Sequence, residues 1–146
     1  AEIPRRILLN KADRLDAAKA SDAMAIQFNL DAGHPLFHSV IVHFENDVPI
    51  QVEDRWVNPD CAPGYLEQDF GAITPNQYLM AAAPLQSATY SIEALPAPRV
   101  VADMLAVEAR TCCLVLKRKT RSHDQIASVV TMWHPGQLYQ FTGALD

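Results

Sequence analysis

The chain has 146 residues, 49% of them hydrophobic and 20% charged, the composition of one ordinary globular domain with a single core. Its formal net charge of -5 and pI near 5.4 exclude broad binding to nucleic-acid phosphates by this segment, because such binding needs a net basic face. No apolar run approaches the ~18 residues of a membrane-spanning helix. No basic-then-apolar leader opens "AEIPRRILLN", so the expected setting is cytoplasmic. The start without Met fits an excised fragment whose N-terminal partner domain has been left out.

In chain order, a short strand is expected at 6–9. Residues 13–28 are Ala-rich and punctuated by Asp, which favours helix, and "DAGHP" breaks that helix. Residues 36–45 alternate and are rich in β-branched side chains. "END" passes them straight into a second strand within "NDVPIQVEDRWVNP", residues 46–59, which makes an antiparallel hairpin. On that second strand Val48, Ile50, Val52 and Trp56 share one face, and Gln51, Glu53 and Arg55 the other.

After "NPDCAPG" come two short helical pieces, 65–69 and 75–83, separated by "FGAIT". Thr74 before Pro75 is the pattern of an N-cap followed by proline at the first helical position. Residues 87–94 read as a strand, with Ala88, Tyr90 and Ile92 on its core side. "LPAPRVVADMLAV" supplies a helix entered through Pro98, with Val100, Val101, Met104 and Leu105 at core-facing spacing. Strands at 111–121, 125–133 and 137–142, joined by "SHDQ" and "HPGQ", complete the chain. The expected class is α+β, a mostly antiparallel sheet with helices in the connections.

Cys61, Cys112 and Cys113 are an odd count with two adjacent, and they read as reduced, partly buried thiols. His34, His38, His43, His123 and His134 show no HxxxH or Cys/His ligand spacing, so no metal is expected. There is no GxGxxG, P-loop or GxSxG, and no cofactor is expected. What remains is a set of polar residues on strands and a helix start. Glu53 and Arg55 face the same way and could hold a ligand with a donor at one end and an anion at the other, or form a solvated face or an ion pair. Thr74, Asn76 and Tyr78 mark a helix start that favours a carboxylate or phosphate, or is a plain cap. His43 could donate to an anion or be structural, and Tyr90 could line a cavity or be core. The run "KRKTRSHD" reads as a solvated edge in preference to a DNA patch.

The hairpin "HSVIVHFENDVPIQVEDRWVNP", the loop-helix "DFGAITPNQYLM", the strand-helix "ATYSIEALPAPRVVADMLAV" and the ending "TCCLVLKRKTRSHDQIASVVTMWHPGQLYQFTG" resemble, in order and spacing, UTRA domains. These are the effector-binding halves of GntR-type bacterial transcription regulators of the HutC subfamily. Within it, "VEDRWVNP", "TPNQYLM" and "HPG" are most similar to the regulators of histidine degradation. The resemblance implies a chorismate lyase-like fold over residues 1–146, an N-terminal winged helix-turn-helix absent from this chain, and a homodimer. Operator DNA would be met only through that absent domain, and no membrane contact is implied. It further implies a small-molecule effector, urocanate or similar, and no catalysis. Glu53 falls where such domains place a ligand-binding acid, and the Thr74 helix where sugar-phosphate-binding relatives hold the anionic end. Where those relatives use an arginine this chain has His43, and where they often have a glutamate it has Ala127; both departures fit a smaller, flatter, singly anionic ligand. A chorismate pyruvate-lyase-like enzyme acting on a small aromatic carboxylate is the alternative on the same fold, and a ligand-free dimerisation module is a third reading.

Overall fold

The computed structural model describes residues 8–145. Two hairpins organise it. The first joins β2 (Pro35–Glu45) to β3 (Val48–Val57), and the second joins β5 (Cys112–Ser122) to β6 (Gln125–Pro135). Each turns on two residues of positive φ, Asn46 and Asp47 (51° and 65°) and His123 and Asp124 (51° and 59°). Positive φ at both central positions is the type I′ geometry, whose twist matches that of the flanking strands. With β1 (Leu8–Lys19) and β4 (Ser87–Pro96) the strands form one antiparallel sheet in the order β1-β2-β3-β6-β5-β4. Helices α1 (Asp22–Phe28), α2 (Pro75–Ala82) and α3 (Arg99–Leu105), with a 3-10 turn at Tyr65–Glu67, lie in the connections.

Side chains alternate across the sheet, and each face has its own cover. On one face Ile41 and Val57 are buried beneath Ala62, Tyr65, Phe70 and Leu79, all from the connection between β3 and β4. On the other, Val42, Val52 and Val115 pack against Ala97, Ala102 and Leu105 at α3. On that same side α1 sets Ala25 and Phe28 against Leu36 and Ile126, with Trp56 and Val129 beside them. Strand β3 is central, so its residues face both layers.

Five expectations need correction. Residues 13–19 are strand, not helix: β1 pairs with β2 over almost its whole length, with Asp13 as the extra residue of a bulge between Ala12 and Arg14. Ladder hydrogen bonds and the packing of Leu15 into the core outweigh the helical preference of an Ala-rich segment, which is worth only tenths of a kcal/mol per residue, at most ~0.7. The helix begins only at Asp22, capped by the Ser21 hydroxyl accepting from the Met24 amide at 3.2 Å. Of the strand expected at 6–9, residues 6 and 7 lie outside the described residues, and the rest is the start of β1.

Tyr90 is not core. It is 72% exposed, because β4 is the far edge of the sheet and Ala88 and Ile92 beside it are exposed as well. Val100 is 64% exposed, since the seven-residue α3 buries only Ala102 and Leu105 fully. Residues 137–142 form no strand. The chain turns at Gly136, where a Cβ would stand 2.9 Å from the Cys112 carbonyl oxygen, and folds back so that the Tyr139 ring stacks on His134 with centroids 4.0 Å apart. Strand β5 is not an edge either, since β4 pairs along it. Of the three free cysteines, Cys61 and Cys113 are buried and Cys112 is exposed.

The β1 assignment is open to a direct check by NMR. Cross-strand Hα–Hα contacts are expected between residues 10–19 and 35–43; sequential amide–amide contacts through 13–19 would show a helix there instead.

Candidate functional site

Glu53 and Arg55 point into the interior, at 3% and 5% exposure, so a solvated face is excluded. Their row positions follow from the register: Glu53 lies between Ile41 and Met132, and Arg55 between Ser39 and Val130. A carboxylate this buried must be fully partnered, because unpaired burial costs several kcal/mol. The Arg55 Nε donates to Glu53 Oε2 at 2.9 Å, and the His43 Nε2 donates to Glu53 Oε1 at 2.9 Å. Burial alone would raise the Glu53 carboxyl, but the Arg55 charge and the His43 hydrogen bond outweigh it and hold it below the usual carboxylate value.

The partners are held in turn. The His43 Nδ1 lies 2.6 Å from Asn10 Oδ1 on β1, so both ring nitrogens are hydrogen-bonded. The Arg55 Nη1 donates to Ser128 Oγ at 2.8 Å on β6. Beside the pair, Ser39 and Tyr65 share a hydroxyl hydrogen bond of 2.7 Å. Burial chiefly pushes the Tyr65 phenol well up, only partly opposed by Arg55, so the hydroxyl is neutral. Next along the face, His134 Nδ1 donates to the Leu114 carbonyl at 3.1 Å and its Nε2 accepts from the Gln51 amide at 2.8 Å. Burial lowers His134 from its ordinary value, the Leu114 bond opposes this, and the His43 charge adds to the lowering.

The third nitrogen of Arg55, Nη2, makes no hydrogen bond among the described residues. Arg55 lines a crevice together with Asn76, Leu79 and Met80 of α2 and Arg118 and Thr120 of β5. Arg118 lies in the same cross-strand row as Arg55, joined through Val130, and also has no ion pair among the described residues. Arg55 and Arg118 therefore line one small volume with Asn76 beside them, residue types that suit a carboxylate. The crevice holds only about 20 Å³, room for one water and far below the ~300 Å³ at which small-molecule pockets begin.

The expected site residues divide accordingly. Glu53, Arg55 and His43 form one hydrogen-bonded unit, and Asn76 stands at the crevice beside it. Thr74 is a satisfied capping box: its hydroxyl accepts from the Gln77 amide at 3.1 Å while the Gln77 side chain accepts from the Thr74 amide at 2.8 Å. Tyr78 packs against Tyr65, ring centroids 6.1 Å apart. Tyr90 ends the row Arg55–Val130–Arg118–Tyr90, three strands from Arg55 at the open edge. Ser128, Asn10, Tyr65 and Arg118 were not in the expected set. Arg118 alternates with Lys117 and Lys119 in the basic run, and alternation alone could have separated it from them once the face of β5 was known. Ala127, buried against Cys61 and Ala83, offers no polar group. Among the described residues no cluster of three or more metal-ligating side chains occurs.

A larger groove of about 550 Å³ lies on the opposite face, under α1. Volume does not make it the principal site, since the buried Glu53 and Arg55 lie on the other face.

Fold and site define an effector-domain class, and sequence comparison agrees. Residues 11–140 match the UTRA domain, and the chain belongs to that family. It is 37% identical over 129 residues to the histidine utilization repressor of Klebsiella aerogenes, covering 88% of this chain and 54% of that protein. With the histidine utilization repressor of Pseudomonas putida it is 40% identical over 124 residues, 85% of this chain and 50% of that protein. The C-terminal domain of the histidine utilization repressor from Pseudomonas syringae pv. tomato superposes with a TM-score of 0.92 at 36% identity, covering 96% of this chain and 99% of that one. The effector domain of PhnF from Mycobacterium smegmatis shares the fold, with a TM-score of 0.85 at 17% identity and coverage of 97% and 88%. The chain thus spans about half the length of the curated relatives it matches, and its relatives are regulators of histidine utilisation rather than enzymes.

Acidification tests the site's charge state. The native carboxyl of Glu53 sits below 4.5, so its stabilisation is complete above that pH and lost as pH falls through the native value. His134 sits below 6.5; there the unfolded state binds the proton first, so stability declines as pH drops below 6.5. The thermal midpoint is expected to fall between pH 7.5 and 5.5, with a flatter limb in His134→Asn. An identical slope in the variant would contradict the assignment.

Proposed function

We propose that this chain is the ligand-sensing half of a repressor of histidine-degradation genes, and that its effector is urocanate. One observation carries the reading: the buried His43–Glu53–Arg55 unit leaves an Arg55 nitrogen unused beside Arg118, at the edge of a closed crevice. Urocanate has an imidazole at one end and a carboxylate at the other. The carboxylate takes the two guanidinium groups, and the ligand's imidazole N–H takes the place at Glu53 that His43 occupies in the free domain. Exchange of one imidazole for another keeps the buried carboxylate partnered. Simply breaking the pair would cost about 3–5 kcal/mol.

Because the crevice is too small for the ligand, α2 and the connection that carries it must open for urocanate to enter. Binding therefore selects an open arrangement, and the energy available for signalling is the difference in affinity between the open and closed forms. In the proposed whole protein, a cytoplasmic homodimer, that change resets the spacing of two N-terminal winged-helix domains on operator DNA. The similarity to histidine utilization repressors and the singly anionic character of the donor set both favour urocanate over a sugar phosphate.

Calorimetry with urocanate tests the assignment. Arg55→Lys and Glu53→Gln are each expected to weaken binding by about tenfold or more, the loss of one charge-assisted contact. Hydrogen exchange in Pro75–Ala82 should change on binding. Full affinity in both variants would remove the pair from the site.

A further inference from the structure

We propose a second binding site, on the opposite face of the sheet, for a small anionic metabolite. It does not rest on the urocanate reading. The groove of about 550 Å³ is walled by Ser21, the N-cap of α1, and Met24 of α1, floored by β4, β5 and β6, and lined by Thr89, Lys117, Lys119 and Thr131 among others. The register fixes its side: Lys117 and Lys119 lie opposite Thr131 and Val129, which lie opposite Asp54 and Trp56. Those rows alternate with the Glu53 and Arg55 rows, so the two lysines point away from the buried pair.

Charge and shape select the ligand class. Lys117 is held by Glu93 at 3.2 Å. Lys119 is half-buried and has no ion pair or hydrogen bond among the described residues. A partly desolvated ammonium without a counter-charge is unfavourable, and here it stands in a concavity in a chain of net charge -5. The hydroxyls of Thr89, Thr131 and Ser21 offer donors and acceptors around it, while Met24 and Val129 offer apolar surface. The volume falls within the ~300–1,000 Å³ of small-molecule pockets. A second copy of the chain is a poorer occupant, because the centres of protein interfaces are depleted in lysine. The fitting ligand carries a phosphate or carboxylate for Lys119 and a compact body that lies against Met24 and Val129.

Two-dimensional amide NMR on the domain saturated with urocanate tests this, with AMP as the phosphate probe and citrate as the carboxylate probe. The expected result is saturable shifts at Ser21, Thr89, Lys119 and Thr131 with at least one probe, and the pair of probes separates phosphate from carboxylate preference. Lys119→Ala should weaken that probe by about tenfold, as for one charge-assisted contact, and Lys119→Arg should retain most of the affinity. Unsaturable shifts spread over all basic residues, or unchanged affinity in Lys119→Ala, would overturn the site. So would groove shifts that appear on protein concentration alone, which would give the surface to a second copy. Urocanate shifts are read separately at Glu53 and Arg55, so their absence would count against the effector assignment and leave the groove unaffected.

Discussion

A carboxylate buried in the middle of a sheet cannot be left unpaired, and much of this domain's architecture follows from Glu53. Ionised, it requires donors on both oxygens, and these come from Arg55 on its own strand and His43 on the neighbouring one. Each donor then needs its own second partner, found on β1 as Asn10 and on β6 as Ser128. Four adjacent strands are thereby tied through polar contacts at one level of the sheet. Any slip of register by one residue would turn Glu53 toward α3 and the apolar cluster around Val52. The charges thus specify the pairing that hydrophobic alternation alone permits.

The same constraint shapes how the site can work. A buried network of this kind resists loss of a single member, so under the proposed reading a ligand would bring a donor for Glu53 as well as an anion for Arg55. Such a requirement is a source of specificity, since an analogue lacking either end leaves a buried group unpaired. The cover over this face is a long connection with a 3-10 turn and the two-turn α2, held by Tyr65, Phe70 and Leu79. Its modest helical content makes it the natural place for opening, whereas the hairpins below it are continuous ladders. The opposite face, under α1 and α3, can stay packed while that cover moves, so under the proposed reading one layer would sense and the other preserve the fold.

The strands with strict alternation were legible in the sequence. The β2–β3 hairpin, the shared face of Gln51, Glu53 and Arg55, and the Thr74–Pro75 helix start all follow from local rules, and all are found in the structure. Residues 13–19 were not legible, because an Ala-rich edge strand is decided by its pairing with β2, a contact distant in sequence. Tyr90 failed for a related reason: alternation says which residues share a face, but not whether any layer covers that face. At the site, spacing placed Glu53 with Arg55 but could not show that Ser128, 73 positions further along, completes the guanidinium shell. Arg118 was hidden in a basic run whose neighbours point the other way.

The Arg55 Nε–H resonance, observed by NMR in the free domain and during titration with urocanate, tests the central claim most directly. A slowly exchanging signal that disappears in Glu53→Gln and moves on saturation with ligand is the predicted result. A signal that exchanges freely in the absence of ligand, or stays fixed while urocanate is shown by calorimetry to bind, would contradict it.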